Sequence, residues 1–401
     1  MSKSWNRMET WIALAVLAVG GGLAALAALH LYTTATAIRW HPEATRVPSV
    51  SQEQISPRWS ESVERARQSV RAAMSEQNLP GVSVAVGIDG TSVWAEGFGF
   101  ADVETRAGVT PATRFRIGTA SIPLTSAAAA LLIEQGELKL DEPIQTYVPE
   151  FARGARPATL RQVMGHLAGL SYDGGDENPL LGMHCGRPVE ALPVFRAPAA
   201  DFEPGTRYTY ATYGWILVSA AIEAAAHDSF ERVMRTRVFE PLGMQATDID
   251  RTDRATTDRT KDYFPRYAAD PRYGLHDLRP IDLSCYAGAS AFVSTPSDLV
   301  RFGLAVVGGT WLRPDTVQQL QTSQRLRSGE ETGYGLGWDL ETVTLAGRPT
   351  AVVGHDGEIL GGPVATLLTV RDRGLVVAVT SNIAHAKTAA IAAGVAEAFM
   401  R

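Results

Sequence analysis

A lysine one helical turn after a serine or threonine shares its helix face and can take or hold the hydroxyl proton. This chain has no such pair. Its four lysines are Lys3, Lys139, Lys261 and Lys387. Gly136, Asp258 and Ala384 stand three residues before the last three, and nothing precedes Lys3 at that spacing. A hydroxyl–lysine dyad would have to borrow its lysine from a distant segment. Other groups suited to chemistry lie scattered. The acidic run Asp173-Gly174-Gly175-Asp176-Glu177 has carboxylates for a cation, or is a solvated loop. His184-Cys185 and Cys285 offer soft metal ligands or, outside the cytoplasm, a disulfide; spacing decides neither. Ser290, in Gly288-Ala289-Ser290-Ala291-Phe292, lacks the final glycine of a nucleophile elbow. No metal site and no cofactor are expected.

Residues 1–10 read as a tail, and 11–32 as a transmembrane helix. Trp11–Leu31 reads WIALAVLAVGGGLAALAALHL, with His30 its only polar side chain. About 20 apolar residues cross a bilayer as a helix, and signal-peptide cores are usually only about 7–15 long. A retained single-pass anchor is therefore expected, although Ala35-Thr36-Ala37 resembles a cleavage site. Residues 33–58, with Pro42, Pro48 and Pro57, look like a tether. Trp59, Val63, Ala66, Val70 and Met74 then recur at helical spacing. Val82–Ile88, Asp89-Gly90 and Thr91–Phe98 read as a hairpin. Further strands are expected over Ala351–Gly354, Val364–Val370 and Leu375–Thr380, with a final helix over 387–400. Helical stretches between include Thr125–Gln135, Leu160–His166, Trp215–Ala226 and Asp298–Val307. Strand groups at both chain ends flanking helices predict one sheet built from both, with a helical unit inserted.

The 401 residues carry 37 Lys+Arg and 43 Asp+Glu, a formal charge of −6. Hydrophobic residues make 45% and charged residues 20% of the chain, which excludes a disordered protein. An acidic balance without a basic run argues against nucleic acid as a partner.

Several segments together resemble the serine β-lactamase and penicillin-binding protein superfamily, in its branch of β-lactamase-related esterases and peptidases. They are TRFRIGTASIPLT, EQGELKLDEPIQTYVPEF, TLRQVMGHLAGL, FEPGTRYTYATYGWILVSAAIE, VFEPLGMQATD, STPSDLVRFGLAV, GYGLGWDL and GHDGE, in family order over residues 59–401. The resemblance implies a β-lactamase/transpeptidase-like α+β fold: an antiparallel sheet from residues 59–118 and 330–401, flanked by helices, and a mostly helical unit from 119–329. It also implies an acyl-enzyme mechanism built on Ser-x-x-Lys, Tyr-x-Asn and Lys-x-Gly or His-x-Gly motifs. A nucleophile at a helix start lies at the positive end of the dipole, and two backbone N–H groups hold the oxyanion.

The tyrosine motif aligns with Tyr210-Ala211-Thr212, and the strand motif with His355-Asp356-Gly357. The nucleophile motif departs: Gly118-Thr119-Ala120-Ser121-Ile122 puts Thr119 at the nucleophile and Ile122 at the lysine position. The catalytic set implied is Thr119, Tyr210 and His355, with Ile122, Thr212 and Gly357 lining the substrate site. Tyr210 and His355 are the remaining candidate bases, a neutral histidine acting through the tyrosine. Thr119 also suits a helix N-cap; Ser121 is an alternative nucleophile, but turned about 200° away it should face the core. Two readings follow. One is a membrane-anchored, extracytoplasmic hydrolase (periplasmic if bacterial) of ester, amide or peptide bonds in a small-molecule or peptide substrate. The other is a pseudoenzyme that binds a ligand or protein in the same cleft.

Overall fold

Period-2 alternation of Val and Ala at both chain ends produces the sheet. The computed structural model describes residues 2–52, 55–152, 157–170, 179–194, 202–251 and 258–400. Seven antiparallel strands run in the order Ser49–Ser51, Thr91–Asp102, Gly81–Ile88, Leu375–Ser381, Gly362–Val370, Arg348–Ile359 and Asp339–Leu345. A short strand, Ala107–Gly108, pairs with Thr91–Asp102. The joint between early and late sequence is the pairing of Gly81–Ile88 with Leu375–Ser381, with Ala85 opposite Ala378. Both strands are buried throughout, so neither face of the sheet meets water there.

One face is covered by the helices Ser60–Gln77 and Thr388–Met400. Val63, Val70 and Met74 of the first and Ile391 and Val395 of the second share a buried cluster with Val84 and Val377. On the other face lies Pro296–Gly308, so close that a Cβ on Gly87 would stand 2.6 Å from Leu304 and one on Gly303 2.5 Å from Val376. Beside it sits the inserted helical unit, whose core joins Ile122–Glu134 to Thr212–Ala226 through side chains such as Leu124, Ala128, Trp215 and Ile222.

Three features go beyond the sequence reading. The helix covers Ser2–Thr36, so the tail is helical too, and Trp11–Thr36 is apolar and, apart from the buried Thr33, exposed. Residues 33–58 are not a free tether. Ser49–Ser51 adds to the sheet edge, Val47 is buried, and His41 stacks on Phe100. Proline-rich extended chain serves equally well as an edge strand, and an open edge attracts one. Finally, small sheets form at and within the insert: Phe115–Arg116, just before it, pairs with Phe292–Ser294, which also pairs with Asp248–Ile249, and Tyr263–Pro265 forms a hairpin with Leu275–Asp277. Cys185 and Cys285 are disulfide-bonded, which removes them as metal ligands. The acidic run 173–177 lies outside the described residues.

Candidate active site

Thr119 reaches its position because two backbones touch. Gly118 turns the chain at φ +53, the left-handed region that favours glycine, and a Cβ there would stand 2.2 Å from the Glu358 carbonyl. Across the contact a Cβ on Gly357 would stand 2.0 Å from the Ile117 carbonyl. The segment after Gly118 is a 3-10 turn, Gly118–Ser121, which passes into the helix Ile122–Glu134 with Pro123 in its first turn.

The Thr119 side chain does not cap that helix. Its hydroxyl donates to the Asp356 carbonyl at 3.1 Å and accepts from the Glu358 N–H at 3.0 Å, both on the strand Arg348–Ile359. That strand shifts register between Gly357 and Glu358. Such a bulge takes a residue out of the ladder and re-aims its backbone groups, here toward the threonine. Ser121 is fully buried, donating to the Gly118 carbonyl and accepting from Phe292 N–H, so it faces the core.

Tyr210 precedes the helix Thr212–Ala226 and lines the same cleft as Thr119. Burial raises the Tyr210 phenol above its ordinary value, so it is a neutral phenol at pH 7. His166, which the sequence reading quoted within a motif but did not single out, brackets this tyrosine. Its carbonyl accepts the Thr209 N–H at 3.1 Å, and its Nδ1 accepts the Ala211 N–H at 3.1 Å. Its ring lies 4.3 Å from that of Tyr210. An Nδ1 that accepts from an amide is bare, so the neutral ring carries its proton on Nε2, which has no hydrogen-bond partner. Burial, and secondarily His355, pull the His166 pKa down to about 3, so it takes no proton near neutrality.

His355 is not placed to act on Tyr210. Its Nδ1 lies 2.6 Å from the Asp356 carbonyl, which can only accept, so Nδ1 carries the proton. Nε2 then accepts from the Tyr334 hydroxyl at 3.1 Å. The partner it touches is thus Tyr334, a second residue missed within a quoted motif, while the Tyr210 ring centroid is 6.2 Å away. Neither tyrosine can serve as a ready phenolate: burial raises Tyr334 well above the ordinary phenol value as well.

Thr119, Tyr210 and Thr212 line a cleft of about 650 Å³, open mouth included, with Ser290 and Glu358 as its other polar side chains. Leu181, Leu283, Tyr286, Ile359 and Leu360 form the apolar wall. Ile122 is fully buried in the helical core rather than lining this cleft, and His355 lines a separate recess with Asp339 and Glu341. Gly357 contributes through its close backbone approach to Ile117.

No distant lysine rebuilds the dyad among the described side chains. Lys139 pairs with Glu142, Lys261 with Glu104 and Asp277, and Lys387 is exposed at the start of the last helix. The geometry can hold a hydroxyl nucleophile beside a phenol relay and a backbone donor, with no cationic side chain among the described cleft residues.

Sheet, flanking helices and inserted helical unit together define a fold of the β-lactamase/transpeptidase type. The chain belongs to the beta-lactamase family, whose model, Beta-lactamase, matches residues 66–398. It is similar to human serine beta-lactamase-like protein LACTB, mitochondrial, at 24% identity, covering 86% of this chain and 80% of that one. It is also similar to penicillin-binding protein 4* of Bacillus subtilis at 25% identity, covering 67% of this chain and 62% of the relative. Among solved structures, the D-amino acid amidase of Ochrobactrum anthropi superposes with a TM-score of 0.72 at 22% identity, covering 85% of this chain and 99% of the amidase.

Proposed function

We propose that this family member is a membrane-anchored hydrolase with an extracytoplasmic domain, cleaving ester, amide or peptide bonds through an acyl-Thr119 intermediate. The observation that carries the reading is the Thr119 hydroxyl held in the cleft by the Glu358 N–H, with Tyr210 in the same cleft. The anchor is the apolar helix Trp11–Thr36, and the Cys185–Cys285 disulfide fits an oxidising compartment.

The relay needs no strong base. As Thr119 Oγ1 bonds to the acyl carbon, its proton leaves the Asp356 carbonyl and passes to Tyr210. The Tyr210 proton passes in the same step to the leaving group, whose bond to the acyl carbon breaks. The Glu358 N–H, which donates to the Thr119 oxygen at rest, turns to the developing oxyanion as that oxygen bonds to carbon. Because nothing replaces the lysine, the leaving group must depart readily, and activated esters should react before amides. General-base assistance is typically worth about 10²–10⁴-fold, which is what the missing lysine forgoes.

The test is acyl-enzyme trapping. The full chain in detergent is incubated with an activated ester or a fluorophosphonate and weighed by intact-protein mass spectrometry. A mass shift that Thr119→Ala abolishes and Tyr210→Phe slows by about 10²-fold supports the relay. No shift with either probe overturns it in favour of a ligand-binding pseudoenzyme, the reading favoured by the lack of a cationic side chain among the described cleft residues.

A further inference from the structure

We propose that the cleft takes the acyl chain of a bilayer lipid, which enters from the membrane side with its ester or amide carbonyl at Thr119. The proposal deepens the hydrolase reading above and rests on its membrane anchor. Two independent observations support it, one from the cleft and one from the seat of the anchor.

The described cleft residues include no Lys, Arg or His, and Glu358 is their one charged side chain. A substrate bearing a carboxylate beside its scissile bond meets no cation among those residues. The wall formed by Leu181, Leu283, Tyr286, Ile359 and Leu360 suits an uncharged, apolar group. Covering such a wall with hydrocarbon is favourable by roughly 25 cal/mol per Å² of apolar surface removed from water.

The anchor does not swing free of the body. Its last turn is seated on the loop that joins the strands of the Tyr263–Pro265 and Leu275–Asp277 hairpin. Arg266 donates to the Thr36 hydroxyl at 3.0 Å and to its carbonyl at 3.3 Å. His30 packs against Tyr273 and Tyr267 at ring-centroid distances of 5.3 Å and 6.2 Å. Tyrosines at the end of an apolar span are what the lipid–water boundary favours. The same hairpin leads to the cleft. Phe264 packs on His385 at 5.2 Å, and His385 lies beside Gly362, next to the cleft residue Gly361. A chain of direct contacts therefore joins the cleft rim to the seat of the anchor. In the reaction, Thr119 Oγ1 bonds to the acyl carbon, and the lipid alcohol or amine leaves with the Tyr210 proton. Water then releases the fatty acid from Thr119, whose oxygen regains a proton.

The test uses the full chain in phosphatidylcholine vesicles doped with a phosphatidylcholine carrying a diazirine near the end of one acyl chain. After irradiation, peptides are mapped by mass spectrometry, with the helix 11–31 as internal control. The expected result is label on the helix and on peptides containing Leu283–Tyr286 or Ile359–Leu360. Leu360→Glu should reduce the cleft label at least fivefold and leave the helix label unchanged. Label on the helix with none in the cleft overturns the proposal, and no label on either overturns the membrane anchor with it. Turnover of a water-soluble acetyl ester in the same vesicles reads the hydrolase function separately. Thr119-dependent turnover without cleft label sinks the lipid substrate alone. Cleft label without turnover of either the acetyl ester or the labelled lipid keeps the binding site and sinks the cleavage step.

Discussion

Thr119 carries a methyl group beside its oxygen, and its stiff χ1 fixes where that oxygen points. Held between the Asp356 carbonyl and the Glu358 N–H, it is oriented rather than activated. Ile122, one turn on, is fully buried. A lysine introduced there would have its pKa lowered by burial and would present the neutral amine that the dyad needs. Thr119→Ser combined with Ile122→Lys should therefore raise the rate of acyl-adduct formation by about 10²-fold or more, measured as adduct mass against time. His166 supports a second prediction. Its imidazole stays neutral down to about pH 3, whereas an unfolded histidine titrates near 6.5. Between those values the unfolded chain binds the extra proton, so stability is full above pH 6.5 and is lost as pH falls. The His166 contribution to that loss is about 2 kcal/mol between pH 7 and pH 5. His166→Asn keeps an acceptor for the Ala211 N–H without a titrating group. Urea unfolding at the two pH values should show that part of the loss removed.

At the scale of elements, the site is made where the turn 118–121 meets the bulged strand 348–359. Gly357→Ala pushes a methyl group to 2.0 Å from the Ile117 carbonyl, so one backbone must retreat. The expected result is a loss of roughly 2 kcal/mol or more in urea unfolding and loss of adduct formation together. Alanine at the open Gly347 turn would test strain from φ alone, since a Cβ there meets nothing within 4 Å. The same elements show what was legible in the sequence. Alternating Val and Ala exposed the strands near 81–98 and 364–380, and helical spacing exposed Ser60–Gln77, because each element buries one face or both in a regular period. The motifs placed Thr119, Tyr210 and Thr212 along the chain, and the fold brings them to one cleft. What could not be read was contact across the chain. Tyr334 sits among glycines in GYGLGW and His166 in MGHLAGL, with nothing local to mark them as neighbours of His355 and Tyr210. The edge strand Ser49–Ser51 was hidden for a similar reason: three residues among prolines carry no period.

For the whole molecule, two long-range ties hold the insert in place. Arg116 donates to Asp250 at 2.6 Å, and Arg259 bridges Asp250 and Asp262 at 2.7 Å and 2.8 Å, joining the small sheet to the segment before the hairpin. The disulfide links Cys185, in the loop that carries Leu181, to Cys285, beside Leu283 and Tyr286 of the cleft wall. It closes a loop of 100 residues. The chain-entropy model assigns such a loop about 4.7 kcal/mol, and typical measured gains are about 2–4. Cys185→Ala with Cys285→Ala should lower stability within that range, read by denaturant unfolding of the oxidised protein and the variant. The sheet's order has a consequence for biosynthesis. Residues 81–88 leave the ribosome well before their partner strand, 375–381, is made. At roughly 5–20 residues per second, the hairpin 81–102 waits some tens of seconds with an apolar edge unpaired. A message truncated before codon 375 therefore yields no smaller working protein. It yields a nascent chain with an open strand edge, a substrate for chaperones and proteases.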